Sequence, residues 1–143
     1  MNLAEKIPDH ATVLVDTNPI VYVLEGHPLA PRFESVFADV EAGRIAALIT
    51  PVTLAEVVSG PWKSGKDALA ERYRRAITSA PGWSLRNTDA EIAMLAARFR
   101  VRHRMKLPDA IQLATAVHEG CFALLSHDRD FGKASELLIL GLR

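Results

Sequence analysis

The sequence predicts an α/β domain with a mainly parallel sheet of four to five strands and helices on both faces. Its short apolar runs are continuous rather than alternating, which is typical of strands covered on both sides. Helical patterns lie between these runs, and strands that alternate with helices build parallel sheets. The 143 residues, 49% of them hydrophobic and 24% charged, have the size of a single domain without linker or repeat, so we expect one core.

The strands are predicted from short runs rich in leucine or β-branched residues and bounded by turn or polar residues. Three of these runs stand out, a fourth closes the chain, and a tryptophan-containing run would be a short fifth. In chain order they cover residues 12–15, 44–50, 83–85, 122–126 and 137–140.

Helices are predicted between the strands. Asn18 followed by Pro19 indicates a helix that starts directly after the first strand. Less regular patterns indicate helices over residues 31–41, 53–58 and 66–79.

Two further helices precede the strand at 122–126. Thr88 and Glu91 have the spacing of a capping box, and apolar residues then recur at helical intervals over residues 92–99. Pro108 is predicted as the first residue of the next helix. The body of that helix, residues 110–117, is apolar nearly all round and therefore predicted to be buried.

Composition excludes several classes of protein. Lysine plus arginine and aspartate plus glutamate number 17 each, so the overall charge does not indicate a nucleic-acid partner. The longest apolar runs are about five residues, whereas a membrane span needs roughly 20. Residues 1–11 carry charges and a proline where a signal peptide needs an apolar stretch, so we expect a cytoplasmic protein. Cys121 is the only cysteine, which excludes an internal disulfide.

Acidic residues occur where the predicted strands end. Asp16 follows the first strand, Glu56 lies in the helical turns after the second, and Asp128 follows the strand at 122–126. Asp109 lies at the start of the buried helix that precedes that strand. Because sites in parallel sheets form beyond the carboxyl ends of the strands, these four carboxylates can converge on one edge.

Each acid also has a structural explanation of its own. Asp16 could be a turn residue, and Glu56 has capping-box spacing to Thr53. Asp109 lies in the first turn of a helix, where the helix dipole favours negative charge. Asp128 has a neighbour, Asp130, in the same polar loop, and either one could be the fourth acid of a site.

Taken together, the acids indicate a cation. Several carboxylates in one cleft repel one another unless a cation or bound protons relieve the repulsion. Mg²⁺ or Mn²⁺ is suited to such a site because hard divalent ions take oxygen ligands. One or two such ions can lower the pKa of a bound water and orient it toward phosphorus, which points to phosphoryl chemistry.

Basic residues form two clusters. The cluster just before Asp109 could hold an RNA backbone, or its charges could simply collect at a helix C-terminus because of the dipole. Its members are Arg98, Arg100, Arg102, Arg104 and Lys106. The second cluster is interpreted as a solvated helix face, and comprises Lys63, Lys66, Arg72, Arg74 and Arg75. Trp62 and Tyr73 are predicted to serve core or dimer packing rather than base stacking.

Other motifs do not support a different chemistry. Residues 60–66 match the start of a phosphate-binding P-loop, but Asp67 replaces the required Ser or Thr, so we expect no nucleotide cofactor. The histidines show no zinc-binding spacing, and His118 and His127 are interpreted as structural.

Four segments resemble, in order and spacing, the motifs of the PIN domain, and particularly those of the VapC group of toxin ribonucleases. They are VLVDTN from Val13, TLAEV from Thr53, LPDAIQLATA from Leu107 and LSHDRDF from Leu125. The resemblance covers residues 12–140, so the chain is expected to be one PIN-like nuclease domain with residues 1–11 as an N-terminal extension.

The resemblance implies a three-layer α/β/α sandwich and hydrolysis of RNA by a metal-activated water. It implies that Mg²⁺ or Mn²⁺ is held by Asp16, Glu56, Asp109 and Asp128. It places supporting hydroxyls at Thr17 and Ser126. In the toxin branch it also implies a homodimer and a small antitoxin partner.

Two other hypotheses are considered. A PIN-like module could bind RNA or a protein without cutting it, although all four acids are present. A receiver or aspartyl phosphatase would also hold Mg²⁺ at strand ends, but such a phosphatase needs an aspartate two residues after the first, where this chain has Asn18. A receiver would need paired acids after its first strand, and these are absent too.

Overall fold

The computed structural model describes residues 1–142, which form five strands and six α-helices. The strands are β1 (Thr12–Val15), β2 (Ala46–Ile49), β3 (Trp83–Leu85), β4 (Ala123–Leu125) and β5 (Leu138–Leu140). The helices are α1 (Thr17–Glu25), α2 (Ala30–Glu41), α3 (Pro51–Lys63), α4 (Asp67–Thr78), α5 (Ala90–His103) and α6 (Leu107–His118). Short 3₁₀ helices occupy Ala4–Lys6, before β1, and Arg129–Lys133, between β4 and β5.

The sheet is parallel throughout, with the strand order β3-β2-β1-β4-β5. The chain builds outward from β1 to β3 and then returns to place β4 on the other side of β1. Such a reversal leaves a crevice beyond the carboxyl ends of the two central strands, where open α/β sheets bind ligands. The strand order therefore predicts a ligand-binding crevice at the carboxyl ends of β1 and β4.

Each face of the sheet packs against its own layer of helices. Val13 and Val15 belong to the core covered by α1 to α4, whereas Leu14 belongs to the core under α5 and α6. All three side chains are fully buried, which explains why β1 lacks polar alternation. The predicted α/β/α sandwich is confirmed. Within residues 1–142, no helix has both the length and the apolar character needed to cross a bilayer.

The predicted strands are confirmed, with small differences at their ends. Residues 12–15 and 83–85 match β1 and β3, and the other three strands are shorter than predicted. The largest difference is at Arg44 and Ile45, which precede β2 because their backbone N–H groups bond to the Asp39 carbonyl, at 3.0 and 3.5 Å, rather than to a neighbouring strand.

Both predicted capping boxes were placed incorrectly. The N-cap of α3 is Thr50, whose hydroxyl accepts from the Thr53 N–H at 3.3 Å, so Thr53 lies inside the helix. The N-cap of α5 is Asp89, one residue after the predicted Thr88, and its carboxylate accepts from the Ile92 N–H at 3.0 Å. In both cases a polar residue nearby in sequence already satisfies the exposed N–H groups of the first turn.

Two helix starts that were predicted from prolines are also displaced by one residue. α1 begins at Thr17 with Asp16 in the N-cap position, so Asn18 lies inside the first turn rather than before it. α6 begins at Leu107, which makes Pro108 its second residue. Both prolines still lie in a first turn, where a missing N–H costs nothing.

The N-terminal extension is part of the core. Leu3, Ala4 and Ile7 are buried in the same cluster as Val13. Arg44 holds this segment by donating to the carbonyl of Ile7 at 2.7 Å and to that of Ala4 at 2.9 Å.

Candidate metal centre at the carboxyl ends of β1 and β4

A cavity of about 290 Å³ lies beyond the ends of β1 and β4. It brings together acids from four distant parts of the chain. It is lined by Asp16, Thr17, Asn18, Val21, Tyr22, Glu56, Asp109 and Asp128. The four acids singled out from the sequence therefore share one cleft.

Asp16 is the deepest of these acids, with 6% of its surface exposed. Its Oδ1 accepts from Gln112 Nε2 at 3.1 Å, and its Oδ2 accepts from the Ser126 hydroxyl at 2.7 Å. Burial raises the pKa of Asp16 above its ordinary value, although these two hydrogen bonds act in the opposite direction. A cation in the cleft would favour the ionised form.

Ser126 orients two acids at once. Its hydroxyl donates to Asp16 Oδ2 and accepts from the backbone N–H of Asp128 at 3.0 Å. The residue is fully buried and directly follows β4. Ser126 thus lies where the resemblance places a supporting hydroxyl.

Gln112 was not predicted from the sequence. It lies on α6 with 1% exposure, and its Nε2 donates to Thr53 Oγ1 at 2.6 Å as well as to Asp16. Its Oε1 accepts from the Thr50 hydroxyl. The one available signal was a lone amide in an otherwise apolar helix, because a buried polar side chain needs partners.

Glu56 lies on α3, and its Oε1 accepts from the Thr17 hydroxyl at 2.7 Å. The bond joins the first turn of α1 to α3 across the cleft. Thr17 therefore contacts one of the acids, as the resemblance implies.

Asp109, Asp128 and Asp130 form the closest group of carboxylates. One oxygen from each lies within 4.8 Å of the others. Burial, together with the negative charges of Asp128, Asp16 and other acids, raises the pKa of Asp109 to about 6. Asp128 also caps the 3₁₀ helix, since its Oδ1 accepts from the Asp130 N–H at 2.9 Å. Asp128 lines the cavity, whereas Asp130 lies 3.9 Å from the Lys133 ammonium.

The residues of the cleft fit a hard cation. Within residues 1–142, none of the four cavity acids has a lysine, arginine or histidine nitrogen within 4.0 Å. The amide oxygen of Asn18, which also lines the cavity, is buried without a hydrogen-bond partner in the same part of the chain. Carboxylate and amide oxygens without protein cations are the donor set that Mg²⁺ and Mn²⁺ prefer.

The basic residues before Asp109 do not form one surface, because Arg100 lies on the opposite side of α5 from Arg98 and Arg102. Arg102 is engaged by Glu136 at 2.8 Å and lies over the Phe99 ring. Arg98 borders an apolar surface pocket on α5. Arg104 is exposed after α5, and the exposed Lys106 directly precedes α6.

The remaining predicted residues lie away from the cleft or have structural partners. Trp62 is 61% exposed, so packing in the core of this chain is excluded, whereas Tyr73 packs against the core. His118 contacts Glu91 and Glu119 on the surface, and His127 Nδ1 donates to the carbonyl of Gly141 at 2.9 Å.

Comparison with known proteins agrees with the resemblance of the sequence to the PIN domain. The sequence profile of the PIN domain matches residues 13–137. Among curated protein sequences, none matches this chain.

Several solved structures share the fold. VapBC2 from Rickettsia felis, bound to a DNA fragment from its promoter, is 17% identical with a TM-score of 0.72, and the match covers 90% of this chain and 96% of that one. A toxin-antitoxin complex from Klebsiella pneumoniae is 26% identical with a TM-score of 0.68, covering 88% and 95%. VapC20 from Mycobacterium tuberculosis, described as a Sarcin-Ricin loop cleaving toxin, is 17% identical with a TM-score of 0.68, covering 84% and 92%.

Proposed function

Because this chain belongs to the PIN domain family, we propose that it is an Mg²⁺- or Mn²⁺-dependent endoribonuclease that hydrolyses phosphodiester bonds of RNA. The acids that hold the ion are Asp16, Glu56, Asp109 and Asp128, with Asp130 as the alternative fourth ligand. The observation that carries the proposal is the convergence of four carboxylates, without a protein cation, in one cavity beyond β1 and β4. A bound Mg²⁺ or Mn²⁺ would polarise the phosphodiester and favour attack by water at neutral pH.

The protein orients its acids with neutral groups. Gln112 and Ser126 hold the two oxygens of Asp16, and Thr17 holds one oxygen of Glu56. A neutral donor restricts a carboxylate without cancelling its charge. The cleft therefore keeps its negative charge available for a divalent ion, and a phosphate would approach only when that ion is present.

The test is cleavage of single-stranded RNA by purified protein with Mn²⁺ or Mg²⁺, with and without chelator. We expect Asp16→Asn and Asp109→Asn to lower the rate by about 10² or more, because each removes a charge that holds the ion. Asp67→Asn is the matched control, since Asp67 lies in the first turn of α4 as Asp109 does in α6. Equal rates for all three variants would contradict the proposal.

The fourth ligand is tested separately. Asp128→Asn keeps an oxygen that can accept from the Asp130 N–H, so the turn should persist while a charge is lost. If Asp128 is the ligand, Asp128→Asn slows cleavage strongly and Asp130→Asn does so weakly. The reverse ranking would assign the role to Asp130.

A binding module without catalysis is the alternative. It predicts that the parent protein retains RNA in a filter-binding assay and leaves it intact at every Mn²⁺ concentration. All four predicted acids line the cavity, which argues against this alternative.

The toxin role and its antitoxin are a further part of the proposal. An apolar groove of about 420 Å³ between α1, α2 and α4 is lined by Val23, Phe37, Ala76 and Trp83, with Glu34 and Glu41 also contributing. Such a groove suits an amphipathic helix with basic flanks. The Klebsiella pneumoniae relative is a toxin-antitoxin complex, which supports a small protein inhibitor as the occupant.

Growth measurements test this role. Expression of the chain alone should arrest bacterial growth, and Asp16→Asn should abolish the arrest. Co-expression of a short reading frame adjacent to the gene should restore growth for the parent. Val23→Lys, in the groove, should keep the arrest and resist the rescue. Normal growth with an active parent nuclease would contradict the toxin role.

A further inference from the structure

Glu136 follows the 3₁₀ helix Arg129–Lys133 and is held by two residues from the end of α5. Its two carboxylate oxygens accept from His103 Nε2 at 2.8 and 2.9 Å, and Oε2 accepts from Arg102 Nη1 at 2.8 Å. The side chains of Glu136 and His103 are only 16% and 10% exposed. Water therefore screens this contact much less than an ordinary surface ion pair.

The Glu136 contact joins the two segments that carry the closest acids. On one side, residues 104–106 connect α5 to α6, whose first turn holds Asp109. On the other side, the 3₁₀ helix that Asp128 caps and that contains Asp130 leads to Glu136 within a few residues. The contact thus lies between the chain segment that carries Asp109 and the one that carries Asp128 and its alternative, Asp130.

The three carboxylates oppose that arrangement when no cation is bound. Oxygens of Asp109, Asp128 and Asp130 within 4.8 Å of one another repel. The fully buried Phe131 and the bond from the Asp128 N–H to Ser126 fix the 3₁₀ helix to the core below it. The Glu136 contact is the one that ties this segment sideways to the end of α5, the helix that leads to Asp109.

We propose that Glu136 is a positioning residue. Through its hydrogen bonds with Arg102 and His103, it holds the Asp128–Asp130 segment against Asp109 and thereby sets the affinity for the divalent ion. This inference rests on the proposed function of the cleft. Burial alone would raise the pKa of Glu136, but the bonds from His103 and Arg102 lower it to about 2. Glu136 is therefore ionised at any pH at which the acids of the cleft are ionised, so its charge-assisted bond from Arg102 persists there.

Arg102 has both of its neighbours inside the protein. A guanidinium that pairs with Glu136 and lies 5.7 Å from the Phe99 ring centroid is engaged on two sides. Arg102 then acts on the cleft through Glu136 rather than through RNA.

The test compares Glu136→Ala with Glu119→Ala in the full-length protein. Glu119 is a matched control because it also contacts one arginine and one histidine, Arg86 at 3.1 Å and His118 at 2.8 Å. It follows the last residue of α6, at the opposite end from Asp109. Two readouts are used: Mn²⁺ affinity by calorimetry without RNA, and hydrogen exchange of residues 128–134 without metal.

We expect Glu136→Ala to weaken Mn²⁺ binding by about tenfold, as is common when a group that orients metal ligands is removed. It should also speed exchange in residues 128–134, because the segment loses its contact with the end of α5. Glu119→Ala should change neither readout. Glu136→Gln keeps an oxygen acceptor and should give an intermediate Mn²⁺ affinity, which also serves if the alanine variant folds poorly.

Three outcomes would overturn the inference: unchanged exchange in Glu136→Ala, faster exchange with parental Mn²⁺ affinity, or equal loss of affinity in Glu119→Ala. A parent that binds Mn²⁺ but does not cleave RNA would overturn the proposed function and leave the positioning role standing. A parent that does not bind Mn²⁺ would overturn both.

Discussion

The Asp109 carboxyl should make metal binding in the cleft depend on pH. Its pKa is raised to about 6 by burial and by the neighbouring acids, and a metal ligand must be deprotonated to bind. We therefore expect Mn²⁺ affinity to rise with pH through 6, and to be about tenfold weaker at pH 5 than at pH 7.5 for one displaced proton. Calorimetry at the two pH values measures this, and a flat profile would show that Asp109 is not a ligand.

The same residue should destabilise the metal-free protein at neutral pH. A carboxyl whose folded pKa lies above its unfolded pKa costs stability as pH rises through that interval, from about 4 to about 6, and the cost persists above it. Asp109→Asn should raise the Tm by about 3 °C at pH 7.5. At pH 3, where the parent carboxyl is largely protonated in both states, the two proteins should melt within about 1 °C of each other. A lower Tm for the variant at pH 7.5 would contradict the shift.

Gln112 should contribute to both stability and activity. Gln112→Met leaves the hydroxyls of Thr50 and Thr53 without their partner and removes one donor from Asp16. We expect a loss of about 1–3 kcal/mol in the free energy of unfolding by urea, with slower RNA cleavage. Thr115→Val is the control: Thr115 is equally buried on α6, but its hydroxyl bonds only to its own helix. Equal losses of unfolding free energy in the two variants would mean that the hydrogen bonds of Gln112 add no stability beyond that of any buried polar side chain.

The acids could be predicted from sequence because their position relative to strand ends is local information. Their orienting partners could not. Gln112 lies 96 residues from Asp16, and Ser126 lies 110 residues away. Which buried amide reaches which carboxylate depends on how α6 packs on the sheet, and local periodicity does not determine that packing. Ser126 was anticipated only through resemblance to the PIN domain.

At the scale of elements, α5 explains why a run of basic residues is not a single RNA-binding surface. Arginines at every second position of a helix point in directions about 200° apart, so Arg100 lies on the opposite side of α5 from Arg98 and Arg102. On the side that these two share, Arg98 borders the apolar pocket and Arg102 pairs with Glu136. Arg104 and Lys106 lie beyond the end of the helix and are the basic residues of this cluster that stand nearest to Asp109 in the sequence.

Lys106 should therefore contact the RNA backbone. On an Asp16→Asn background that does not cleave, Lys106→Ala should weaken binding of single-stranded RNA and reduce the salt dependence of log K by about one phosphate contact. Arg72→Ala, an exposed arginine on α4, is the control and should change neither value. Equal effects of the two substitutions would indicate diffuse attraction rather than a contact near the acids.

Element boundaries show which local signals are ambiguous. The helices at α3 and α5 were predicted, but their capping residues were assigned to Thr53 and Thr88 instead of Thr50 and Asp89. Where several capping residues stand within a few positions, spacing alone does not choose among them. The choice depends on where the preceding strand or loop ends, and tertiary packing determines that position.

At the scale of the whole molecule, α5 carries an exposed apolar stripe. Met94 and Val101 are 74% and 81% exposed, and seven residues place them two turns apart on one face. Glu91 and Arg98 border the same stripe, so two antiparallel copies of α5 would bring each Glu91 near the other's Arg98. We propose this surface as the interface of a homodimer with two-fold symmetry.

Light scattering after size exclusion tests the dimer. We expect the parent to have twice the mass of one chain and Met94→Glu with Val101→Glu to be monomeric. Trp62→Glu is the control, because Trp62 is also exposed but lies on α3. Dissociation by Trp62→Glu alone would move the interface to α3, and a monomeric parent would exclude the dimer.

β1 precedes the other four described strands in the chain and is the middle strand of the sheet. Ser126, which holds Asp16, is synthesised 110 residues later, on the order of ten seconds at typical elongation rates. Until then the nascent chain carries Asp16, Glu56 and finally Asp109, but not the segment after β4 that contains Asp128. The cleft can therefore assemble only after β4 has been synthesised and has paired with β1, so its four acids meet late in folding.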